Sequence, residues 1–132
     1  MLPPRPPLAA RSSLATAAEV AEALADYQAR TNENERLRRM LRGWDRVVHV
    51  VASDNDVRFT LTVKDTLMVS AEAGLSGEPD LVVRATSEDF CDMFWGDLNP
   101  AEKYMNGEIK LEGSAEDVMR LDAMSMVIWL NE

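Results

Sequence analysis

Residues Leu98 to Gly113 read LNPAEKYMNGEIKLEG, a helix start, a helix stop and a strand with no spare residue between them. Asn99 offers an N-cap oxygen, Pro100 stands at the first helical position, where a missing N–H costs nothing, and Glu102 is placed as a capping-box partner. Gly107 is the residue type that ends a helix in the left-handed conformation. Polar and apolar residues then alternate from Glu108 to Glu112, with Ile109 and Leu111 on one side. The spacing predicts a helix of about two turns, a sharp stop and an edge-like strand.

On the C-terminal side, Ser114 with Asp117 as capping-box partner opens a final helix whose apolar stripe is Val118, Leu121, Met124 and Ile128. From Met124 to Leu130 the sequence MSMVIWL is apolar on nearly every side except at Ser125, so this segment needs cover on two sides. On the N-terminal side, Thr86 or Ser87 caps a helix carrying Phe90, Met93, Phe94 and Trp95, which Gly96 ends. Earlier still, Leu81 to Thr86 reads as a strand behind the loop Gly74 to Asp80. Val57, Phe59, Leu61 and Val63 alternate with polar residues, and Lys64-Asp65 turns that strand into a third, with Leu67, Val69 and Ala71 on one face and Met68, Ser70 and Glu72 on the other. Val47 to Val51 is the first strand. Ahead of it, Val20, Leu24 and Tyr27 mark one helix from Ala17. Asn32 with Glu35 is a capping box that breaks it near Thr31, and Leu37, Met40, Leu41 and Trp44 continue on a second helix closed at Gly43. The order predicts an α+β domain: about five strands in a largely antiparallel sheet with helices packed on one face.

At 132 residues the chain has room for one domain. The net charge of −9 weighs against nucleic acid and anionic membranes as partners. The single cysteine, Cys91, excludes an internal disulfide and a cysteine-based zinc site. No apolar run reaches the length that spans a bilayer, so stable membrane insertion is not expected. Pro3, Pro4, Pro6 and Pro7 disallow regular structure near the N-terminus, and residues 1–15 are expected to form a disordered Pro-rich tail ahead of a domain at 16–132. Arg5, Arg11, Ser12 and Ser13, with no acid before Glu19, give that tail a trace of organellar-transit character, and Pro3 to Pro7 has the composition of a ligand for an aromatic groove.

Equipment for catalysis is sparse. His49, the only histidine, lies inside a Val-rich strand and reads as a half-exposed strand residue, not a general base. Cys91 beside Phe90 reads as a small hydrophobe. Asp54 and Asp56 resemble the start of a calcium loop, but Arg58 takes the fifth position and no Gly stands at the sixth, so the stretch is a hairpin turn. No phosphate loop, dinucleotide fingerprint or metal-ligand pair is present, and the chain reads as a non-enzyme without cofactor or metal. What stands out is Met93, Met105, Met119, Met124 and Met126 together with Phe90, Phe94 and Trp129 in the C-terminal half. Flexible thioethers suit a wall that repacks around variable apolar guests, and the same residues at helical spacing also suit an ordinary core.

Gly96, Leu98, Asn99, Pro100, Tyr104, Met105, Gly107, Ile109, Leu111 and Gly113 fall in the order of a family signature, and Asn32 to Val48, with its Gly-Trp-Asp, is similar to the segment that opens bacterial members. On these residues the chain, from about Thr16 onward, resembles the sterol carrier protein type 2 family, as a bacterial-type single-domain member. The resemblance implies a non-catalytic lipid-binding and lipid-transfer protein that holds a fatty acid, acyl-CoA, sterol or other apolar guest in a hydrophobic tunnel between sheet and helices, with the last helix as wall or lid. Carried onto this sequence, the tunnel walls are Phe90, Phe94, Met105, Ile109, Leu111, Met119 and Met124, with Leu121 and Ile128. Lys103, Glu108 and Glu112 depart from the family pattern and weigh against acyl-CoA phosphate contacts and docking to anionic membranes. The final residues Leu130-Asn131-Glu132 are not of the peroxisomal type, and a cytoplasmic location is expected. The alternatives are a dimerisation or enzyme-docking module acting through Met124 to Leu130, and a lipid-presenting accessory in isoprenoid quinone synthesis, which related bacterial domains serve.

Overall fold

The computed structural model describes residues 14–130. In chain order the elements are α1 (Ala17–Glu33), α2 (Glu35–Met40), β1 (Arg46–Ala52), β2 (Arg58–Lys64), β3 (Leu67–Ala73), β4 (Leu81–Ala85), α3 (Ser87–Trp95), α4 (Pro100–Met105), β5 (Lys110–Gly113) and α5 (Ala115–Leu130). The strands form one sheet in the order β3-β2-β1-β4-β5. All neighbours are antiparallel except β1 and β4. That parallel pair follows from the connection: β2 and β3 occupy one side of β1, and the chain returns over the loop at 74–80 to enter β4 at the same end as β1.

Val48 and Val50 of β1 pair with Leu61 and Phe59 of β2 on one side and with Leu81 and Val83 of β4 on the other, so these residues share the face the helices cover. The opposite face carries His49 beside Thr60. The loop at 74–80 shields it: the Thr60 hydroxyl donates to the Gly74 carbonyl at 2.7 Å and accepts from the Ser76 N–H at 3.0 Å, and His49 Nε2 lies 3.0 Å from the Ser76 carbonyl. His49 is therefore buried, not half-exposed, because a loop whose own polar groups need partners folds back over it.

Strand β3 departs from simple alternation. Val63 pairs with Met68 and Thr62 with Ser70, leaving Val69 as the extra residue of a bulge. A one-residue slip moves side chains to the opposite face. Met68 thus comes inside and Val69 is half exposed, reversing the alternation expected for Leu67, Val69 and Ala71, while Ala71 stays against the core. Two side chains fix the bulge: the Asn32 carboxamide accepts from the Met68 N–H at 2.8 Å and donates to its carbonyl at 3.0 Å, and Gln28 donates to the same carbonyl at 2.8 Å.

This use of Asn32 explains why it caps nothing. The break between the first two helices falls at Asn34, whose side chain accepts from the Leu37 N–H at 3.0 Å, so α1 runs on to Glu33. Thr16 and Glu19 form a complete capping box at the start of α1. Thr86 caps α3. Asn99 caps α4 through the Ala101 N–H at 3.1 Å, with Pro100 in the first turn, and Gly107 follows that helix at φ +78. Gly113 is fixed by proximity: a Cβ there would lie 2.5 Å from Leu81 Cδ2 and 2.8 Å from the Asp80 carbonyl. Residues 1–13 of the Pro-rich stretch lie outside the described residues, whereas Ala15 is fully buried, its N–H donating to Ser87 Oγ at 3.0 Å.

Candidate functional site

Helices α1 and α3 cover one half of the inner face of the sheet with large side chains. Tyr27 packs on Phe94 with ring centroids 5.1 Å apart, Phe94 stacks on Phe90 at 5.8 Å, and Cys91 is buried with its Sγ 3.8 Å from the Glu19 carbonyl. Over the other half, α4 and α5 stand off. They leave a narrow apolar hollow, open at one mouth, with about 40 Å³ of free space between its side chains. Its floor is Val48, Val50, Leu61, Val63, Met68 and Val83 from four strands, and its walls are Tyr27, Trp44, Met93, Phe94, Ile109 and Leu111. Pro100 and Tyr104 of α4 and Leu121, Asp122, Met124 and Ser125 of α5 form the roof and rim. The space is narrow, a set of gaps between side chains that an incoming chain would have to part.

The local sequence explains the roof. Helix α4 is a short helix that buries only Pro100, and α5 turns Leu121, Asp122, Met124 and Ser125 inward while Glu116, Met119 and Ala123 share its exposed side. The start of α5 is clamped. Asp117 accepts from Trp44 Nε1 at 2.7 Å and from Arg46 Nε at 3.0 Å, and the guanidinium groups of Arg46 and Arg120 lie 5.6 and 6.0 Å from the Trp44 ring centre. Burial pushes the Asp117 carboxyl up, but hydrogen bonds from Arg46, Trp44 and Ser114 and the Arg46 charge outweigh it and hold the group below the ordinary Asp value. Ser114 still caps the helix, accepting from the Asp117 N–H at 3.1 Å. The Asp117 carboxylate goes to Trp44 and Arg46, so it does not complete a capping box. Tyr27 shares a hydrogen bond with Ser125 across the hollow, and burial raises its phenol pKa against that bond.

Among the residues expected to wall a tunnel, Phe94, Ile109, Leu111, Leu121 and Met124 line this hollow. Phe90 is fully buried but sits behind Phe94 in the filled half. Ile128 lies further along α5 against the Gly96 turn, where a Cβ on Gly96 would be 3.6 Å from its Cγ2. Met105 and Met119 are 83% and 72% exposed, because Tyr104 takes the inward position on α4 and Met119 falls on the outward side of α5. The strand floor was written in the alternation of β1 and β2, and Tyr27 in the stripe of α1. Met68 was hidden by the bulge, and nothing in the sequence aimed Trp44, Asp122 or Ser125 at a cavity.

No group of His, Cys, Asp and Glu able to hold a metal ion occurs among the described residues, and no helix among them is long and apolar enough to cross a membrane.

A family model described as the SCP-2 sterol transfer family matches residues 24–125. Comparison with curated protein sequences gives no match. Among solved structures, sterol carrier protein domain 2 of Helicoverpa armigera is similar at a TM-score of 0.71 and 14% identity, covering 89% of this chain and 95% of that one. The UbiJ-SCP2 ubiquinone synthesis protein is similar at 0.62 and 12% identity, covering 83% and 94%. A palmitated SCP2L2 of Aedes aegypti is similar at 0.59 and 18% identity, covering 83% and 91%. At these identities the structural likeness speaks for the fold.

Proposed function

The chain belongs to the SCP-2 sterol transfer family, and from that premise we propose that it is a non-catalytic cytoplasmic carrier of apolar guests, held in the hollow between the sheet and the pair α4 and α5. The observation that carries this reading is the composition of the hollow: aliphatic floor, aromatic and thioether walls, and a few polar side chains contributed by α1, α4 and α5. Each methylene moved from water is worth about 0.8 kcal/mol, so burying eight of them yields roughly 6 kcal/mol before ordering costs. Affinity in the micromolar range needs only modest help from the rim.

The chemistry is exchange. Trp44 and Arg46 hold the start of α5 through Asp117, and the helix beyond Leu121 is the part that must shift to admit a chain. Native mass spectrometry of the purified protein, with and without added N-phenyl-1-naphthylamine, tests the reading. A one-to-one complex with a small apolar molecule is expected. A chain that stays guest-free in both samples would refute it.

A second reading is favoured by the fold of the UbiJ-SCP2 ubiquinone synthesis protein: the carrier presents a quinone precursor to a synthetic enzyme. Loss of quinone on deletion of the gene, restored by the wild-type chain and not by a hollow-filling variant, is the expected outcome. Docking through Met124 to Leu130 has less to offer, because Met124, Val127 and Ile128 are buried within the chain itself.

A further inference from the structure

The polar side chains facing the hollow are hydroxyls and a carboxylate, with no cation among them. Tyr27, Tyr104, Asp122 and Ser125 bring three hydroxyls and a carboxylate, and no Lys, Arg or His contributes to the lining. Asp122 and Ser125 are three residues apart on α5, hence on one side of it, and Ser125 is hydrogen-bonded to the buried Tyr27. The arrangement is directional. The floor residues Val48, Val50, Leu61, Val63 and Val83 are buried, whereas Tyr104 is 41% exposed and Asp122 and Ser125 are part-exposed. An amphiphile in this hollow therefore lies with its tail on the sheet and its head at the rim beside Asp122.

Four cations on the elements around the hollow are already engaged. Arg46 is paired with Asp117, Arg120 donates to the Met40 carbonyl, Lys103 is paired with Glu108 at 3.1 Å, and Arg30 is paired with Asp26 at 2.6 Å and donates to the Trp95 carbonyl at 2.7 Å. A guest carboxylate arriving at the rim would meet a carboxylate and find no free positive partner among these, in a chain of net charge −9. A hydroxyl would meet an acceptor for its proton in Asp122 and donors in Ser125 and Tyr104.

Resting on the carrier reading, we infer that the hollow selects by headgroup: it takes neutral, hydroxyl-headed lipids and excludes the ionised acids of the same chain length, with Asp122 as the discriminating residue. The selection is the kind in which a misplaced charge rejects the wrong partner more strongly than contacts favour the right one.

Displacement of N-phenyl-1-naphthylamine, a neutral apolar fluorophore, by dodecan-1-ol and by dodecanoate at pH 8 tests this in the full chain. Dodecan-1-ol is expected to displace the probe at a concentration at least tenfold lower than dodecanoate does. Asp122→Asn should narrow that gap to less than threefold by strengthening dodecanoate, and Asp122→Lys should reverse it, each displacement being read relative to that variant's own probe affinity. Equal displacement by the two guests in the wild type, or a gap unchanged in Asp122→Asn, would overturn the selection and leave the carrier reading standing. Failure of probe and both guests to bind would remove the carrier reading and this inference with it.

Discussion

The two halves of the inner sheet face are each covered by a pair of helices and end up in opposite states. Under α1 and α3, Leu24, Phe90 and Cys91 are packed solid behind Tyr27 and Phe94, which turn their other side to the hollow. Under α4 and α5 the same kinds of residue line a hollow. The difference lies in how the helices are held. Helices α1 and α3 press directly on each other, and α1 on β3, with Ala15, Ala23 and Ser87 small enough to let backbones approach. Helix α5 is fixed at its start by the Asp117 clamp, and α4 is too short to bring more than Pro100 and Tyr104 to bear. One half of the domain stores stability and the other keeps room.

If that division is right, substitutions in the two halves should separate stability from binding. Phe90→Ala should lower unfolding free energy by about 3–5 kcal/mol, since it opens a cavity in the filled half. Urea denaturation reads the loss, and probe binding by the folded fraction should be little changed. Asp117→Asn should cost about 1–3 kcal/mol by weakening the hydrogen bonds to Trp44 and Arg46. Its effect depends on pH. The folded-state value of Asp117 is depressed, so its contribution is fully present above the unfolded Asp value of about 3.9 and is lost as pH falls through the folded value. Wild type and variant should therefore converge in stability as denaturation is repeated toward strongly acid pH, and curves that stay parallel would contradict the clamp.

Leu121→Trp sharpens the contrast from the other side. The indole should plug the hollow and abolish N-phenyl-1-naphthylamine binding, at a cost of about 1–3 kcal/mol because the gaps it enters are narrow. Phe90→Trp, at a fully buried position in the filled half, should destabilise and leave probe binding by the folded fraction little changed. The smallest effect is expected at Met105→Ser and Met119→Ser. Both side chains are exposed, so stability should move by no more than about 0.5 kcal/mol and binding should not move at all. A tenfold loss of binding in either would mean that the occupied state brings these methionines inward.

The sequence carried the boundaries of nearly every element. Caps at Thr86 and Asn99, the glycine after α4 and the alternation of β2 act through neighbours a few residues apart, and such signals survive in any tertiary setting. Misreadings arose where a distant group competed for a local one. Asn32 had the spacing of a cap and was taken by the Met68 backbone, Asp117 had the spacing of a capping-box partner and was taken by Trp44 and Arg46, and His49 was covered by a loop some 27 residues away in sequence. In the site, apolar residues on regular faces could be anticipated, Leu121 and Met124 of α5 among them, whereas Met68 behind its bulge and the polar Asp122 and Ser125 beside the α5 stripe could not.

By itself the sequence determined an α+β domain with a strand-rich middle, helices enough to cover one sheet face, and an apolar surplus in its C-terminal half, because periodicity and capping are properties of adjacent residues. Only the tertiary structure decided which apolar residues become filled core and which become the wall of a space. That choice is made by the distance at which α4 and α5 settle from the sheet, and it depends on contacts between side chains more than seventy positions apart, such as Trp44 and Asp117.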